Sequence, residues 1–314
     1  MKVRLWGVRG SIPSPGPTTA RYGGNTTCIE VNGDDGEFVI LDAGSGIRPL
    51  GLDLMSRGPL PEMHLFISHT HWDHIQGFPF FVPCYIPGSK MHIRGPVYFE
   101  ETMGLRDIFD MQMRYEFFPI TNQQLAAEID YRNIKETTLD INNMVVKTKF
   151  TNHPLLCLAY RLEQNGKSFV FGADHEPYHN LFSDGDDAAG NDDADSEEVD
   201  PDDAVFDNLE ETVDDANARF LEFISGADLV VLDCMYTPDE YRTTKRGWGH
   251  ASWDFCLDWM KEGNIKKMVL SHHEPVRSDD ELDQTLIEVR EAATNLGLTP
   301  ENILMAREGM EFDL

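Results

Sequence analysis

The chain has 314 residues, 41% of them hydrophobic, and a formal net charge of −29. That apolar share is enough for a sizeable core, while no apolar run reaches the length of a membrane-spanning helix, so no membrane partner is expected. The acid excess disfavours a large nucleic-acid partner, because polyanions are held through Lys and Arg.

The chain opens Met1-Lys2-Val3-Arg4-Leu5, which runs straight into a strand-like segment and lacks the layout of a signal peptide. Five cysteines, odd in number and without close spacing, predict reduced and mostly buried thiols and a cytoplasmic location. The apolar run 38–41 ends at Asp42, which reads as a support for a neighbouring group or as a turn residue, and not as a ligand.

The next strand-like run, 63–67, breaks into His69-Thr70-His71-Trp72-Asp73-His74. This is the strongest signal in the chain. Histidines are only 11 of 314 residues, yet three fall here beside an aspartate, which makes a chance cluster a poor explanation. Imidazole and carboxylate together suit zinc or a similar first-row metal. His69 and His71 are two apart, so an extended backbone points both the same way. The turn that follows aims Asp73 and His74 at a neighbouring position, so one short loop seeds two metal sites.

Residues 77–119 are rich in aromatics and Met, with apolar residues near helical spacing over about 99–115. They predict a core-facing helix pair, with a few side chains left over for a base pocket or a dimer contact. The run 145–150 leads to Thr151-Asn152-His153, and 168–171 leads to Gly172-Ala173-Asp174-His175. Taken singly, His153 reads equally as a plain loop histidine and Asp174 as the cap of a following helix. His175 and His179 read as surface groups or supports of ligands. Residues 184–215 carry 16 Asp or Glu and no Lys or Arg, which predicts a solvated, mobile insertion and leaves −13 on the rest of the chain. The run 229–232 ends at Asp233, read like Asp42. Then come Gly247-Trp248-Gly249-His250-Ala251-Ser252-Trp253, with Ser252 a better helix cap than His250, and finally Ser271-His272-His273-Glu274-Pro275 after the run 267–270.

The His69–His74 run matches the HxHxDH motif and resembles the metallo-β-lactamase-fold hydrolases. The stretches Trp6-Gly7-Val8-Arg9-Gly10-Ser11, Gly23-Gly24-Asn25-Thr26, Leu41-Asp42-Ala43-Gly44-Ser45-Gly46 and 247–253 are similar to the phosphodiesterase branch of that family. This branch includes transfer-RNA 3′-processing enzymes, cyclic-nucleotide phosphodiesterases and a cyclic-phosphate hydrolase. The resemblance covers nearly the whole chain.

It implies an α/β fold, a four-layer αββα sandwich of two similar halves forming one domain over 1–314. It implies two divalent metal ions, zinc first, with manganese or iron as alternatives. His69, His71 and His153 would hold one metal; Asp73, His74 and His272 would hold the other; Asp174 would bridge them and leave room for a water. His272 is preferred to His273 because the family ligand directly follows the Ser or Thr that ends its strand, and in an extended segment only one of two neighbours reaches the site. Asp73 is counted with the catalytic groups as well as the ligands. His250 lies in the stretch that separates phosphodiesterases from lactamases, and would donate a proton or hydrogen-bond the phosphate.

The expected function is hydrolysis of a small nucleotide phosphodiester, a cyclic mononucleotide for preference, by a water activated between the metals. The absence of a basic, Gly-rich arm supports a small substrate. RNA 3′-processing and cyclic-phosphate hydrolysis are the alternatives within the enzyme class, and a nucleotide-binding sensor or sequestering protein is the alternative outside it. Lactam hydrolysis would leave His250 without a role. A homodimer is an expectation by analogy only.

Overall fold

The computed structural model describes residues 1–96, 103–179 and 201–314, with the side chains of 201–211 excepted. The element order alternates strands with helices. The first half runs β1 (Lys2–Gly7), β2 (Cys28–Asn32), β3 (Phe38–Leu41), α1 (Ile47–Arg57), β4 (Met63–Phe66), α2 (Trp72–Ile75), β5 (Lys90–Gly95), α3 (Leu105–Gln112) and β6 (Glu128–Asn133). The second half runs β7 (Thr138–Ile141), β8 (Met144–Phe150), β9 (Leu158–Gln164), β10 (Lys167–Phe171), α4 (Pro201–Ile224), β11 (Leu229–Asp233), α5 (Pro238–Glu240), α6 (Trp253–Glu262), β12 (Met268–Ser271), α7 (Asp279–Asn295) and β13 (Ile303–Met305). A last strand, β14 (Glu311–Asp313), returns to the first half and pairs with β1.

Two seven-stranded sheets result, in the orders β14-β1-β2-β3-β4-β5-β6 and β13-β12-β11-β10-β9-β8-β7. Each is antiparallel at one end and parallel at the other, β3 to β6 in the first and β10 to β13 in the second. The strands that are buried on both faces are short unbroken apolar runs, as expected of covered parallel strands. Alternate residues divide between the two faces: Leu229 and Val231 join the core between the sheets, Val230 and Leu232 the core under the helices. The outer core of the second sheet is closed by α4, α6 and α7 through Phe220, Leu257 and Val289, and that of the first by α1 and α3 through Leu50 and Phe109. The layers are helix, sheet, sheet, helix, the α/β sandwich expected from the sequence.

Three expectations change. Among its described residues the aromatic segment holds one α-helix, α3, and two short 3-10 turns at Phe78–Phe80 and Val82–Tyr85, not a pair of core-facing helices; residues 97–102 lie outside the described residues. In the acidic stretch, 184–200 lie outside the described residues, and from Pro201 the chain is α4. Ser252 stands at the start of α6, but its hydroxyl bonds Asp254 and makes no cap to the helix backbone. All five cysteines are free and buried. Among the described residues no helix is long and apolar enough to cross a membrane.

The loops that leave the parallel strands β4, β10, β11 and β12, and the antiparallel strand β8, carry the candidate groups. This is the usual place for a site in α/β sheets, where strand ends turn over and side chains converge.

Candidate metal centre

β4 ends at Phe66, the chain bends at Ser68, and His71 has φ and ψ of −60° and 150° before the single turn of α2. His69 Nε2 lies 2.9 Å from His71 Nδ1. Helical phase then turns Trp72 outward and Asp73 and His74 inward; Trp72 is 80% exposed while His74 is fully buried. His153, after β8, brings Nε2 to 3.1 Å from His71 Nδ1. His69, His71 and His153 thus form one donor set.

Asp73, His74, Asp174 and His272 form the second. His74 Nε2 lies 3.3 Å from Asp73 Oδ2 and 3.3 Å from Asp174 Oδ2. His272 Nε2 lies 3.2 Å from Asp73 Oδ2 and 3.3 Å from Asp174 Oδ1. Asp174, after β10, also reaches the first set, with Oδ2 3.6 Å from His69 Nε2 and 3.9 Å from His153 Nε2. Every residue singled out as a ligand in the sequence therefore converges on one place, with Asp174 between the two sets.

The donors fit divalent cations. Tetrahedral zinc with bonds of about 2.0–2.1 Å sets its ligand atoms about 3.3–3.4 Å apart, and the four histidine-to-carboxylate separations in the second set are 3.2–3.3 Å. His74 Nε2 is buried without a hydrogen-bond partner, although two carboxylates face it. Burial, reinforced by neighbouring imidazoles against a partial pull from Asp174, holds His69 well below the ordinary histidine value and His153 at about 4. Burial likewise lowers His71. Neutral imidazole is the form that binds metal. His74 behaves oppositely: burial opposes its charge, but Asp174, Asp73 and Asp42 outweigh it and raise the pKa. Burial also opposes ionisation of Asp73 and Asp174, and the surrounding histidines reverse that, keeping both well below the ordinary carboxylate range.

A further layer of contacts aims the donors. Asp42 accepts hydrogen bonds from Ser68 N at 2.6 Å, Ser68 Oγ at 2.8 Å and His74 Nδ1 at 2.6 Å. Ser11 N donates to Asp73 Oδ2 at 2.7 Å. His153 Nδ1 donates to Gly249 O at 2.9 Å, which leaves Nε2 for the donor set. Two glycines make room for the rings: a Cβ on Gly10 would stand 2.4 Å from His272 Cε1, and one on Gly249, whose φ is +86°, would stand 2.5 Å from His153 Nδ1. The glycines of the opening and Gly-His motifs thus have a packing reason.

His250 adjoins the second set, where its ring forms a third group of close donor atoms with Asp174, Asp233 and His272. Its Nδ1 lies 2.7 Å from Asp233 Oδ2, and its ring stacks on His272 with centroids 4.9 Å apart. Burial lowers its pKa, but the Asp233 carboxylate outweighs that and raises it to about 9. Asp42 and Asp233 are therefore placed as supports of histidines, as their strand-end positions suggested. His273 turns away and bonds Ala306 O at 2.8 Å. The reason differs from the expected strand alternation, since His272 has φ of 57° and has left the extended conformation. His175 is not a surface group: it is buried, takes a hydrogen bond from Asn152 N and stacks on Phe220 at 3.7 Å. No helix follows Asp174 directly, so it caps none.

Sequence reasoning missed Glu176. Its buried carboxylate accepts from Tyr241 Oη at 2.8 Å, Gly247 N at 2.7 Å and Gly249 N at 2.7 Å, tying the loop after β10 to the loop of His250. Its closeness to Asp174 in the chain was the one available signal. Left-handed backbone at Asp42, Ala173 and His272, with φ of 62°, 54° and 57°, also carried no sequence signal. Such residues cost about 1–3 kcal/mol each and persist where surroundings over-determine them, commonly at functional sites.

No family model matches the chain. A ribonuclease Z from Lactococcus lactis subsp. lactis is 23% identical over 297 residues, covering 87% of this chain and 88% of that protein. The crystal structure of the metallo-β-lactamase fold protein YhfI from Bacillus subtilis aligns with a TM-score of 0.64 at 16% identity, covering 99% of each chain. Human tRNase Z, short form, aligns with a TM-score of 0.59 at 17% identity, covering 100% of this chain and 99% of that one. With its two facing sheets and its converging His and Asp donors, the chain has the metallo-β-lactamase fold.

Proposed function

We propose that the chain is a metal-dependent phosphodiesterase whose substrate is a small nucleotide, a cyclic mononucleotide for preference. The observation that carries this reading is His250, held by Asp233 beside two adjoining donor sets. Two bound divalent cations, zinc for preference on this donor set, would acidify a water and neutralise phosphoryl oxygens. The protein's own groups do the rest. Asp233 binds Nδ1 of His250, which leaves Nε2 as the atom to give a proton to the departing oxygen. Asp42 fixes the ring of His74, and Glu176 holds the loop on which His250 stands. The net charge of −29 supports a small substrate over a polyanion. Five buried free thiols fit a reducing compartment, the cytoplasm.

The test is metal-supplemented hydrolysis of bis(p-nitrophenyl) phosphate, cyclic AMP, cyclic GMP and a 2′,3′-cyclic nucleotide by wild type and His250→Ala. The expected result is turnover by wild type and a loss of about 10²–10⁴-fold in the variant with its metal content kept. Wild-type turnover in the variant would remove His250 from the mechanism. A protein with both metals bound and no phosphodiester turnover would overturn the reading.

A second reading, RNA 3′-end processing, is favoured by the names of the relatives, ribonuclease Z and tRNase Z. It predicts RNA binding that weakens steeply with salt, and cleavage of a transfer-RNA precursor in preference to any mononucleotide.

A further inference from the structure

A cavity of about 940 Å³ opens beside the first donor set. Thr70 and Trp72 come to it from the loop of His69, His71 and Asp73, and Pro154 comes from beside His153. Its far side is built from Phe80, Phe117 and Phe118. The volume is at the upper end of the range for pockets that enclose most of a drug-sized ligand.

Three of its aromatic side chains are exposed, Trp72 by 80%, Phe117 by 76% and Phe80 by 53%. Phe80 and Phe118 meet edge to face with centroids 5.3 Å apart, so each ring holds the other in place at the cavity wall. Among the described residues Arg114 is the one basic residue in the lining, and Glu116 pairs with it at 2.8 Å. A second phosphate or a polyanionic backbone finds no counter-charge here. A flat uncharged group finds aromatic faces, and stacking on such faces rewards ring area.

We propose that this cavity holds the base of the nucleotide substrate, and that its aromatic faces select a purine over a pyrimidine. This rests on the phosphodiesterase reading. The position follows from the chain: helical phase sends Asp73 and His74 to the metals and Trp72 to the cavity, so the phosphate and the base are read from opposite sides of one loop. Phe117 supplies a face from a different part of the chain.

The experiment compares kcat/KM for cyclic AMP, cyclic CMP and methyl p-nitrophenyl phosphate, a diester without a base, in metal-loaded wild type, Trp72→Ala and Phe117→Ala. The purine substrate is expected to exceed the pyrimidine one. In each variant the ratio of cyclic AMP to the base-free diester is expected to fall about tenfold, the loss of roughly one stacked face. The ratio isolates base binding, because damage to the metal loop in Trp72→Ala lowers both substrates together. Phe117→Ala stands away from that loop and serves if Trp72→Ala does not fold. Unchanged ratios with turnover of all three substrates would overturn the assignment while leaving the phosphodiesterase reading intact. Faster turnover of long-chain alkyl phosphodiesters than of cyclic AMP would overturn it in favour of an alkyl arm. Failure to hydrolyse any diester would refute the underlying reading itself.

Discussion

Replacing Asp42 by Asn should weaken metal binding at His74 without unfolding the protein. Asn is the replacement that best keeps the backbone, since Asp42 has φ of 62° and Asn tolerates the left-handed region. The amide, however, cannot reproduce the carboxylate's bonds. Oδ1 must stay an acceptor, because Ser68 N–H points at it from 2.6 Å. The NH2 then occupies the place of Oδ2, which lies 2.6 Å from His74 Nδ1. A donor there forces Nδ1 to accept and puts the ring proton on Nε2, the atom that faces Asp73 and Asp174. A protonated Nε2 does not ligate. The opposite amide orientation sets NH2 against the Ser68 N–H, an unsatisfied buried pair worth about 1–3 kcal/mol.

With the amide oriented to keep the Ser68 bond, the expected loss of affinity is about 10–100-fold, or about 1.4–2.8 kcal/mol. Competition against a chromophoric chelator would measure it, with the thermal transition of the metal-free protein as the control for folding. Affinity within twofold of wild type in a folded Asp42→Asn protein would refute the argument that Asp42 sets the tautomer of His74.

Two further predictions concern supports farther from the donors. Glu176→Gln should lower turnover more than metal content, because one of its three bonded N–H and O–H groups would face an NH2 and the His250 loop would shift. Equal kcat in the variant and wild type would remove Glu176 as a positioning residue. Glu30 is nearly fully buried and accepts from Trp6 Nε1 and Asn32 Nδ2, both at 2.8 Å, and from Arg57. Burial pushes its pKa up, but Arg57, Asn32 and Trp6 outweigh it and hold the value below that of an ordinary carboxylate. Its contribution is therefore complete above the unfolded value of about 4.3 and is lost as pH falls through the lower folded value. Glu30→Gln should cost about 2–3 kcal/mol at pH 7, less than a fully buried pair because the Arg57 side chain keeps 35% exposure, and the gap from wild type should narrow in acid. Urea unfolding at pH 7 and at acid pH measures it; a gap that widens in acid would contradict the sign.

Four of the donor residues stood out in the sequence because they are local: His69, His71, Asp73 and His74 fall within one short run, Asp73 and His74 on a single helical turn. His153, Asp174 and His272 are distant in the chain and were expected only from the resemblance. The four-layer sandwich was expected from the resemblance alone; the structure supplies its physical reason, since Leu229 and Val231 face one core and Val230 and Leu232 the other. The roles of Asp42 and Asp233 followed from their places at strand ends.

What tertiary structure alone decided lies between segments distant in the chain. His272 and not His273 enters the site because the backbone at His272 turns left-handed, a strain that the surrounding contacts impose and that neither residue's identity announces. Glu176 gains its place from N–H groups more than 70 residues away, at Gly247 and Gly249. The aromatic segment after the metal loop carried helical spacing, yet only part of it is helix, and side chains such as Phe117 and Phe80 are left at a cavity wall. Periodicity records which face of an element is apolar; it does not record whether that face meets a core or a space. That depends on the distance between elements, which the packing of the whole chain sets.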